Sequence, residues 1–298
     1  MEKIKIIIDT DLGDDVDDAA AIALALNSPE IEVVGITTVY KNVVARAQMA
    51  ADLLKIYNRP DIPVYAGQGM PVIERFDVEE EPIQYGIVQE KHEIDISVYA
   101  ADFIIETIAR DTEVCIVAMG PMTNLALAFL KAPDIMKNAR IIGMGGAFLN
   151  SLPEWNIKCD PEAARIVTDY SNNLVLLGLD VTKFCKLTPE QLQTVASMED
   201  TRVRYLYKGM QEFMHKTGYP ITLHDVLIIA YLIDKTVLSL KQGDFTVELR
   251  GELTRGTIVH KTNYYEIENE PKRLFYYAVG LNLEKFRDIV MERVFRME

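Results

Sequence analysis

The sequence has few cysteines, and none of them form a closely spaced pair. Its 298 residues include only Cys115, Cys159 and Cys185. An odd number of widely spaced cysteines without a CxxC pair argues against a disulfide framework and against a zinc site. Reduced thiols in a cytoplasmic protein are the simplest interpretation.

The chain also lacks an excess of positive charge. Its 31 lysines and arginines face 45 aspartates and glutamates, which gives a formal net charge of −14. Binding to phosphates requires clustered basic side chains, so this composition argues against a nucleic-acid partner. A neutral or cationic ligand, or a metal ion, fits the charge better.

Long apolar runs and linker-like segments are absent as well. No run is long enough to span a membrane, and the apolar stretch before Asp9 is too short for a signal peptide. The chain contains no internal repeat and no Gly/Ser/Pro-rich linker. We therefore predict one domain over residues 1–298, although the length alone would also allow two smaller domains.

Strand and helix patterns alternate along most of the chain. The apolar run 4–8 is typical of a strand buried on both faces of a parallel sheet, and the Ala/Leu-rich run 19–27 predicts a helix. Such alternation indicates an α/β fold, with a mainly parallel central sheet flanked by helices. Further strands are predicted over 32–39, 62–67, 113–120, 139–146 and 173–182, and further helices over 44–57, 97–110, 123–132 and 161–170. The last part is predicted as a helical insertion over 188–234, a small antiparallel edge over 245–280 and a final helix over 283–296.

Four polar segments follow predicted strands, at the points where those strands end. They are DTDLGDDVDD (9–18), AMGPMTN (118–124), MGGAFLNSLPEWN (144–156) and GLDVT (178–182). In open α/β sheets, ligands bind beyond the carboxyl ends of the strands. The four segments therefore predict a common site.

The first of these segments concentrates negative charge. Like charges this close repel one another, and burial makes each one costlier. Helix capping and the helix dipole account for one or two of the carboxylates, whereas a hard cation such as Ca²⁺ or Mg²⁺ accounts for more of them. An EF-hand loop does not fit, because the fifth position from Asp9 is Gly13 and the twelfth is Ala20. The six aspartates are Asp9, Asp11, Asp14, Asp15, Asp17 and Asp18.

A phosphatase with an aspartate nucleophile is an alternative, since it also uses a DxD pair after a first strand. Asp9 would then be the nucleophile, and the enzyme would need Mg²⁺, a phosphate cradle and a later lysine. The sequence offers no segment suited to a phosphate, and a charge of −14 disfavours anionic substrates.

Other polar residues near strand ends and helix starts are candidates for the same site. Each also has a plain structural interpretation as a helix cap, a surface residue or a turn former. They are Asn42, the carbonyl of Met119, Glu154, Asn156, His224 and Asp225.

Taken in order, these segments resemble the inosine–uridine-preferring nucleoside hydrolase family. The resemblance rests on IIIDTDLGDDVDDAAAIALAL, SPEIEVVGITTVYKN, VAMGPMTNLALA, EWNIKCDPEAARIV, GLDVT and HDVLIIAYLID, and it covers nearly the whole chain. The family's open α/β fold around a mixed sheet agrees with the alternation. The chain departs from the family's usual DxDPGxDD motif by two extra residues and by Leu12 in place of proline. It also has Lys41 where glycine is common.

The resemblance implies a Ca²⁺ site and a ribose site. Calcium would be held by Asp11, Asp18, the Met119 carbonyl and Asp225, together with waters and the ribose 2′- and 3′-hydroxyls. The sugar would be bound by Asp17, Asn42, Glu154 and Asn156. The extra residues Asp14 and Asp15 are expected to face solvent or to replace one of these ligands.

The implied reaction is hydrolysis of the N-glycosidic bond of a ribonucleoside, with a transition state that resembles an oxocarbenium ion. Asp11 would act as general base on a metal-bound water. His224, with a pKa near neutrality, would protonate the leaving base. A non-catalytic calcium- or sugar-binding homologue is a further alternative, because the aspartate loop is altered. The resemblance also implies a homo-oligomer, either a dimer or a tetramer, and no nucleic-acid or membrane partner.

Overall fold

Nine strands and twelve α-helices alternate along the described part of the chain. The computed structural model describes residues 3–75, 77–150, 152–261 and 274–295. The strands are β1 (Ile4–Thr10), β2 (Ile31–Thr38), β3 (Val64–Ala66), β4 (Cys115–Ala118), β5 (Arg140–Met144), β6 (Leu174–Leu177), β7 (Leu238–Val247), β8 (Ile258–His260) and β9 (Leu274–Leu281).

The helices lie mostly between the strands. They are α1 (Asp17–Leu26), α2 (Val43–Ile56), α3 (Ala100–Arg110), α4 (Thr123–Lys131), α5 (Pro133–Met136), α6 (Trp155–Cys159), α7 (Pro161–Tyr170), α8 (Leu179–Thr182), α9 (Pro189–Ala196), α10 (Thr201–Thr217), α11 (Val226–Ile233) and α12 (Leu283–Val290). None of the helices in the described ranges is both long and apolar enough to cross a membrane.

The strands form one sheet in the order β3-β2-β1-β4-β5-β6-β9-β7-β8. Strands β1 to β6 pair in parallel, and β9 joins β6 in parallel as well. Strand β7 is antiparallel to β9, and β8 is antiparallel to β7. The predicted α/β class, with a mainly parallel sheet and an antiparallel edge, is confirmed.

The apolar first strand is buried on both faces, as its sequence predicts. Ile6, Ile7 and Ile8 have no exposed surface. Because side chains alternate along a strand, Ile6 and Ile8 pack into the cluster that contains α1 and α11, whereas Ile7 packs into the cluster that contains α4 and α7. Burial of each such side chain contributes about 1.5–3 kcal/mol to folding. Helix layers on both faces thus fix the central strands and the loops that follow them.

The predicted strand over 173–182 is wrong in its second half. Strand β6 ends at Leu177, and the chain turns at once into the short helix α8. The Asp180 carboxylate accepts hydrogen bonds from the Phe148 amide and, at 3.2 Å, from Asn150 Nδ2. These tertiary bonds hold the loop after β5 against α8, which a pattern of apolar residues does not reveal.

A second difference concerns the segment around the single tryptophan, where no helix is predicted before position 161. Residues Trp155–Cys159 form helix α6, and Glu154 caps it by accepting the amides of Asn156 and Ile157. The Asp160-Pro161 pair starts helix α7 as expected, because the Asp160 side chain accepts the Ala163 amide.

The C-terminal third follows the prediction with shifted boundaries. The insertion over 188–234 contains α9, α10 and α11, so its helical character is confirmed. The antiparallel edge begins earlier than position 245, at Leu238 in β7, and positions 262–273 lie outside the described residues. The final helix is α12, followed by a π-helical turn over Met291–Phe295, and position 296 is again outside the described residues.

Candidate active site

Two consecutive aspartates and a third that is distant in sequence meet at the N-terminal ends of two packed helices. Asp17 and Asp18 open α1, and Asp225 lies at the N-cap position of α11. One carboxylate oxygen from each lies within 4.8 Å of the others. All three side chains are buried, with at most 4% of each residue exposed. The packing of α1 against α11 therefore builds a buried acidic cluster.

The hydrogen bonds of this acidic cluster leave one oxygen without a partner. Asp17 accepts the Asp18 amide at 3.1 Å and the Asp225 amide at 3.3 Å, and Asp18 accepts the Thr10 hydroxyl. Within the part of the chain that the structure describes, the Asp225 side chain makes no capping bond and its buried Oδ1 has no hydrogen-bond partner. A buried carboxylate oxygen without a donor is costly unless a cation takes that place. Several carboxylate oxygens around one point are the ligands that hard cations prefer, so the residues present fit a metal ion.

Burial raises the pKa of every carboxyl group in the acidic cluster. It raises the pKa of Asp17 to about 7, with the neighbouring Asp18 charge as the second cause. The pKa of Asp18 and that of Asp225 lie well above their usual range, again mainly through burial and then through nearby carboxylates. A bound cation would reverse this effect, because it favours the ionised form of each carboxyl group.

Asp11 lies beside the acidic cluster, at the end of β1. Burial raises its pKa to about 7, and the Arg46 charge opposes this shift. Asp11 in turn raises the pKa of Asp18 and of Asp225, so the charges act on each other. Its position depends on Gly120, because a Cβ atom there would lie 2.9 Å from Asp11 Oδ1. The group within 4.8 Å thus contains Asp17, assigned to the sugar by resemblance, and leaves Asp11 outside it.

The Met119 carbonyl and Asn156 are bonded to each other. Met119 follows β4, and its carbonyl accepts Asn156 Nδ2 at 2.6 Å. The same amide nitrogen lies 3.2 Å from the carbonyl of Met144, the last residue of β5. A carbonyl oxygen has two lone pairs, so this bond leaves Met119 able to accept a second partner. Asn156 is 7% exposed and joins the ends of two neighbouring strands.

Glu154 is buried and is held by backbone amides. Its carboxylate accepts the amide of Gly146 at 3.0 Å, that of Asn156 at 2.9 Å and that of Ile157 at 3.2 Å. Burial raises its pKa, and these amides oppose the shift. These contacts are those of a helix cap that also binds the Gly146 amide, and any role of Glu154 toward the sugar would be an additional one.

Asn42 caps helix α2 and lies in a loop with unusual backbone angles. Its Oδ1 accepts the Ala45 amide at 3.0 Å, and its Nδ2 donates to the Glu79 carbonyl at 3.1 Å. Tyr40 and Lys41, just before it, have φ values of 70° and 54°. This left-handed region favours glycine, which explains why the family commonly has glycine where this chain has Lys41.

His224 is hydrogen-bonded to the helix that sequence reasoning predicts as a strand. Its Nδ1 lies 2.9 Å from the Thr182 hydroxyl in α8, and Thr182 is fully buried. Burial, with a smaller effect of Lys186, lowers the pKa of His224 to about 4. The expected pKa near neutrality is therefore wrong in this structure, and the ring is neutral at pH 7.

Asp9 is enclosed by the sheet. It has no exposed surface, and its Oδ1 accepts the Thr37 hydroxyl at 2.6 Å and Asn124 Nδ2 at 2.7 Å. Burial raises its pKa to about 7. A phosphate ester would have no access to this carboxylate, which weighs against the phosphatase alternative.

Three residues that shape the site escape sequence reasoning. Arg46 looks like an ordinary helix residue, although it is fully buried beneath the aspartate loop. Thr182 and Gly120 lie in segments that the sequence marks as strand ends, but only the tertiary structure shows what they contact. Gly120 directly follows Met119, a candidate ligand. This adjacency is the one feature of the sequence that indicates a position of Gly120 near the site.

Comparisons with known proteins agree with this fold and identify a family. The family model for inosine-uridine preferring nucleoside hydrolases matches residues 6–288. The chain is 32% identical over 319 residues to a probable uridine nucleosidase 2 of Arabidopsis thaliana, covering 98% of both chains. It is 30% identical over 322 residues to the inosine-uridine preferring nucleoside hydrolase of Crithidia fasciculata, again covering 98% of both. Among solved structures, a plant nucleoside hydrolase, PpNRh1, matches with a TM-score of 0.84 at 27% identity and covers 99% of both chains.

The mixed sheet, the acidic cluster and these matches together define an N-glycosyl hydrolase of the α/β class. The chain belongs to the inosine-uridine preferring nucleoside hydrolase family. The family that the sequence motifs indicate is thereby confirmed.

The raised pKa values predict how a metal ion affects stability. In metal-free protein, Asp9, Asp11 and Asp17 keep their protons up to about pH 7, whereas in the unfolded chain they lose them near pH 4. The contribution of these aspartates to stability is therefore complete below their pKa in the unfolded chain. It is lost as the pH rises through their pKa in the folded protein. We expect the melting temperature of metal-free protein to decrease as the pH is raised from about 5 to about 8. A divalent cation should therefore raise the melting temperature more at pH 8 than at pH 5.

Calorimetry of dialysed protein, with and without added Ca²⁺ or Mg²⁺, measures this effect. Asp225→Asn should remove most of the cation's stabilisation. Asp134→Asn, which changes an exposed partner of Lys137, should not. An equal cation effect at both pH values would contradict the prediction.

The contact at Gly120 predicts a second result. In Gly120→Ala the new methyl group would lie 2.9 Å from Asp11 Oδ1 and 2.8 Å from Val39 Cγ1, so Asp11 must move. A displacement of this kind should lower turnover by about 10²-fold. Gly86→Ala is the matched control, because a Cβ there meets nothing within 4 Å. Steady-state kinetics decide the matter, and near-normal turnover by Gly120→Ala would show that Asp11 tolerates the shift.

Proposed function

We propose that this protein hydrolyses the N-glycosidic bond of ribonucleosides in a calcium-dependent reaction that gives ribose and a free nucleobase. The observation that carries the proposal is the buried cluster of Asp17, Asp18 and Asp225, with an unpartnered oxygen on Asp225. This cluster lies in a chain that belongs to a family of ribonucleoside hydrolases. Neither observation depends on the other.

Calcium is the proposed ion because all the proposed ligand atoms are oxygens, from side chains and from the main chain. The proposed ligands are carboxylates and one carbonyl, which suit the flexible coordination of Ca²⁺ better than the strict octahedron of Mg²⁺. When bound, the ion would supply positive charge that orients a water molecule and two ribose hydroxyls. The proposed ligands are Asp11, Asp18, the Met119 carbonyl and Asp225.

Asp11 is proposed as the general base. It follows β1 at the edge of the acidic cluster, with 9% of its surface exposed. Its coupling to Asp18 and Asp225 supports a position close to the ion that those residues would hold. From there its carboxylate would take a proton from the attacking water, the role that general-base catalysis requires.

The sugar is proposed to contact Asp17, Asn42, Glu154 and Asn156. Asp17 belongs to the buried acidic cluster, which would bring it next to the ion and the ribose hydroxyls. Glu154 would place a carboxyl group close to the sugar, and three backbone amides hold it in place. Negative charge fixed in a buried site would stabilise the positive charge that develops on the ribosyl ring.

His224 is proposed to assist departure of the base as a neutral hydrogen-bond donor. With a pKa near 4, the ring carries one proton at pH 7. If Nδ1 accepts the Thr182 hydroxyl, that proton lies on Nε2, where it can be donated to the leaving base. The Thr182 hydroxyl would then fix both the tautomer and the ring orientation.

Two broader predictions remain proposals of the same kind. The described cysteines are all free and buried, which supports a cytoplasmic location with reduced thiols. A dimer or tetramer is proposed from the family resemblance, and light scattering of purified protein measures it directly.

Release of ribose from a panel of nucleosides tests the proposed function. The panel holds inosine, uridine, adenosine and cytidine, assayed before chelation, after it, and after return of Ca²⁺ or Mg²⁺. We expect ribose release that calcium restores, and a loss of about 10³-fold in Asp11→Asn with Asp134→Asn unchanged.

Other outcomes would favour the alternatives. Calcium binding without turnover of any nucleoside would indicate a binding protein. Mg²⁺-dependent release of phosphate from monoesters would indicate a phosphatase. Full activity of Asp11→Asn would exclude Asp11 as the base while leaving the reaction itself intact.

The role of His224 predicts a dependence on the leaving group. His224→Ala should slow inosine hydrolysis by about 10²-fold and should slow p-nitrophenyl riboside much less, because p-nitrophenolate leaves without a proton. Thr182→Val should show the same selectivity to a smaller degree, and Thr182→Ser should restore inosine hydrolysis. Parallel kinetics on both substrates measure this, and equal slowing of both would argue against help to the leaving base.

A further inference from the structure

One arginine side chain lies wholly inside the protein, directly below the aspartate loop. Arg46 belongs to the first turn of α2 and has no exposed surface. Its guanidinium donates to the carbonyls of Tyr40 at 2.7 Å and Leu12 at 2.9 Å, and also to the carbonyl of Asp11. It forms an ion pair with Asp14 at 2.7 Å. Four acceptors from two loops therefore converge on one buried cation.

Asp14 is one of the two extra residues in the aspartate loop, and it does not simply face solvent. While Oδ2 binds Arg46, its Oδ1 accepts the Ile83 amide at 3.3 Å. Next to it, the Gly13 carbonyl accepts the Gln84 amide at 2.8 Å. The extension thus connects the aspartate loop to α2 on one side and to the segment after β3 on the other.

The backbone of this loop packs closely against its neighbours at Gly13. Its φ is +116°, and a Cβ would lie 2.6 Å from Met49 Sδ and 2.7 Å from Pro82 Cβ. Only glycine meets both conditions, since the backbone angle and the close approach each exclude a side chain. The loop is therefore packed from both sides as well as hydrogen-bonded.

We infer that Asp14 and Arg46 form a positioning pair that fixes the main chain of Asp11 and so directs its carboxylate toward the acidic cluster. The inference rests on the proposed function, because it concerns the same site. Leu12 follows Asp11, and unlike a proline it does not itself restrict the backbone. The bonds from Arg46 to the carbonyls of Asp11 and Leu12 supply that restriction here.

Removal of the Asp14 side chain tests the pair without opening the core, because about a third of that side chain is exposed. In Asp14→Ala we expect kcat to fall by about 10²-fold while KM changes less than about threefold, since substrate contacts remain but the base is misplaced. Calcium affinity should weaken by about tenfold, as for other residues that orient metal ligands. Asp14→Asn should have a kcat and a calcium affinity between those of the parent and those of Asp14→Ala, because its amide oxygen can still accept one of the hydrogen bonds.

Calcium affinity can be followed independently of turnover. Trp155 is the only tryptophan, is half-exposed, and lies between Glu154 and Asn156, so its fluorescence reports on the site. Asp61→Ala is the matched control. It removes an exposed carboxylate that pairs with Arg59 at 2.9 Å, and it should change neither kcat nor calcium affinity.

Arg46→Lys is the complementary variant, because it keeps the charge but cannot serve four acceptors with one nitrogen. It should lose at least as much kcat as Asp14→Ala, and the two changes together should be less than additive. If Arg46→Lys does not fold, the two Asp14 variants decide alone.

Two results would overturn the inference. One is kcat and calcium affinity within about twofold of the parent in Asp14→Ala, and the other is a lower melting temperature as its only effect. If the parent binds calcium but hydrolyses no nucleoside, the proposed function fails, and the fluorescence titration still decides whether the pair positions the site. A parent that binds no calcium would contradict both.

Discussion

Carboxylates buried together repel each other and lose their hydration, which costs free energy of folding. The other features of this site reduce that cost. Each ion taken from water costs several kcal/mol unless it is paired. The metal-free protein meets part of the cost by favouring the protonated form of Asp17, Asp18 and Asp225, whose pKa values are all raised. The buried charge of Arg46 meets another part, because it opposes the shift at Asp11. What remains is a site that gains stability when a cation enters.

The sheet register turns this charge balance into a defined geometry. Strands β1 and β4 are neighbours, with Asp9 opposite Ala118, so the residues that follow them emerge side by side. Asp11 therefore reaches Gly120, where the absence of a side chain leaves room for its carboxylate. Helices α1 and α11 add the aspartates at their N-termini, where the helix dipoles favour negative charge. Elements from both ends of the chain are needed, which is why the site exists only in the folded protein.

The sequence predicts the fold well where one physical effect dominates, and less well where tertiary contacts decide. Strand β1 contains the isoleucines Ile6, Ile7 and Ile8, which are buried on both faces of the sheet, so the sequence pattern alone identifies it. Residues 178–182 are predicted as strand because they continue the apolar run 174–177, but Asp180 accepts hydrogen bonds from the loop after β5 and lies in the helix α8. The site shows the same division. The clustered aspartates predict the site from the sequence. The burial of Arg46 and the hydrogen bond between Thr182 and His224 cannot be predicted in this way, because they depend on contacts between distant segments.

Hydrogen-bond partners separate the structural carboxylates from those available for chemistry. Asp160 accepts the Thr123 hydroxyl and the amides of Val72 and Ala163, so it holds loops together much as Glu154 holds its turn. Such saturated groups have few lone pairs left for a ligand and act mainly through charge and position. Asp225 is different, because an oxygen buried without any partner is maintained at a cost to folding. Of these three carboxylates, only Asp225 has such an oxygen within the described ranges, and this oxygen belongs to the acidic cluster whose ligands suit a cation.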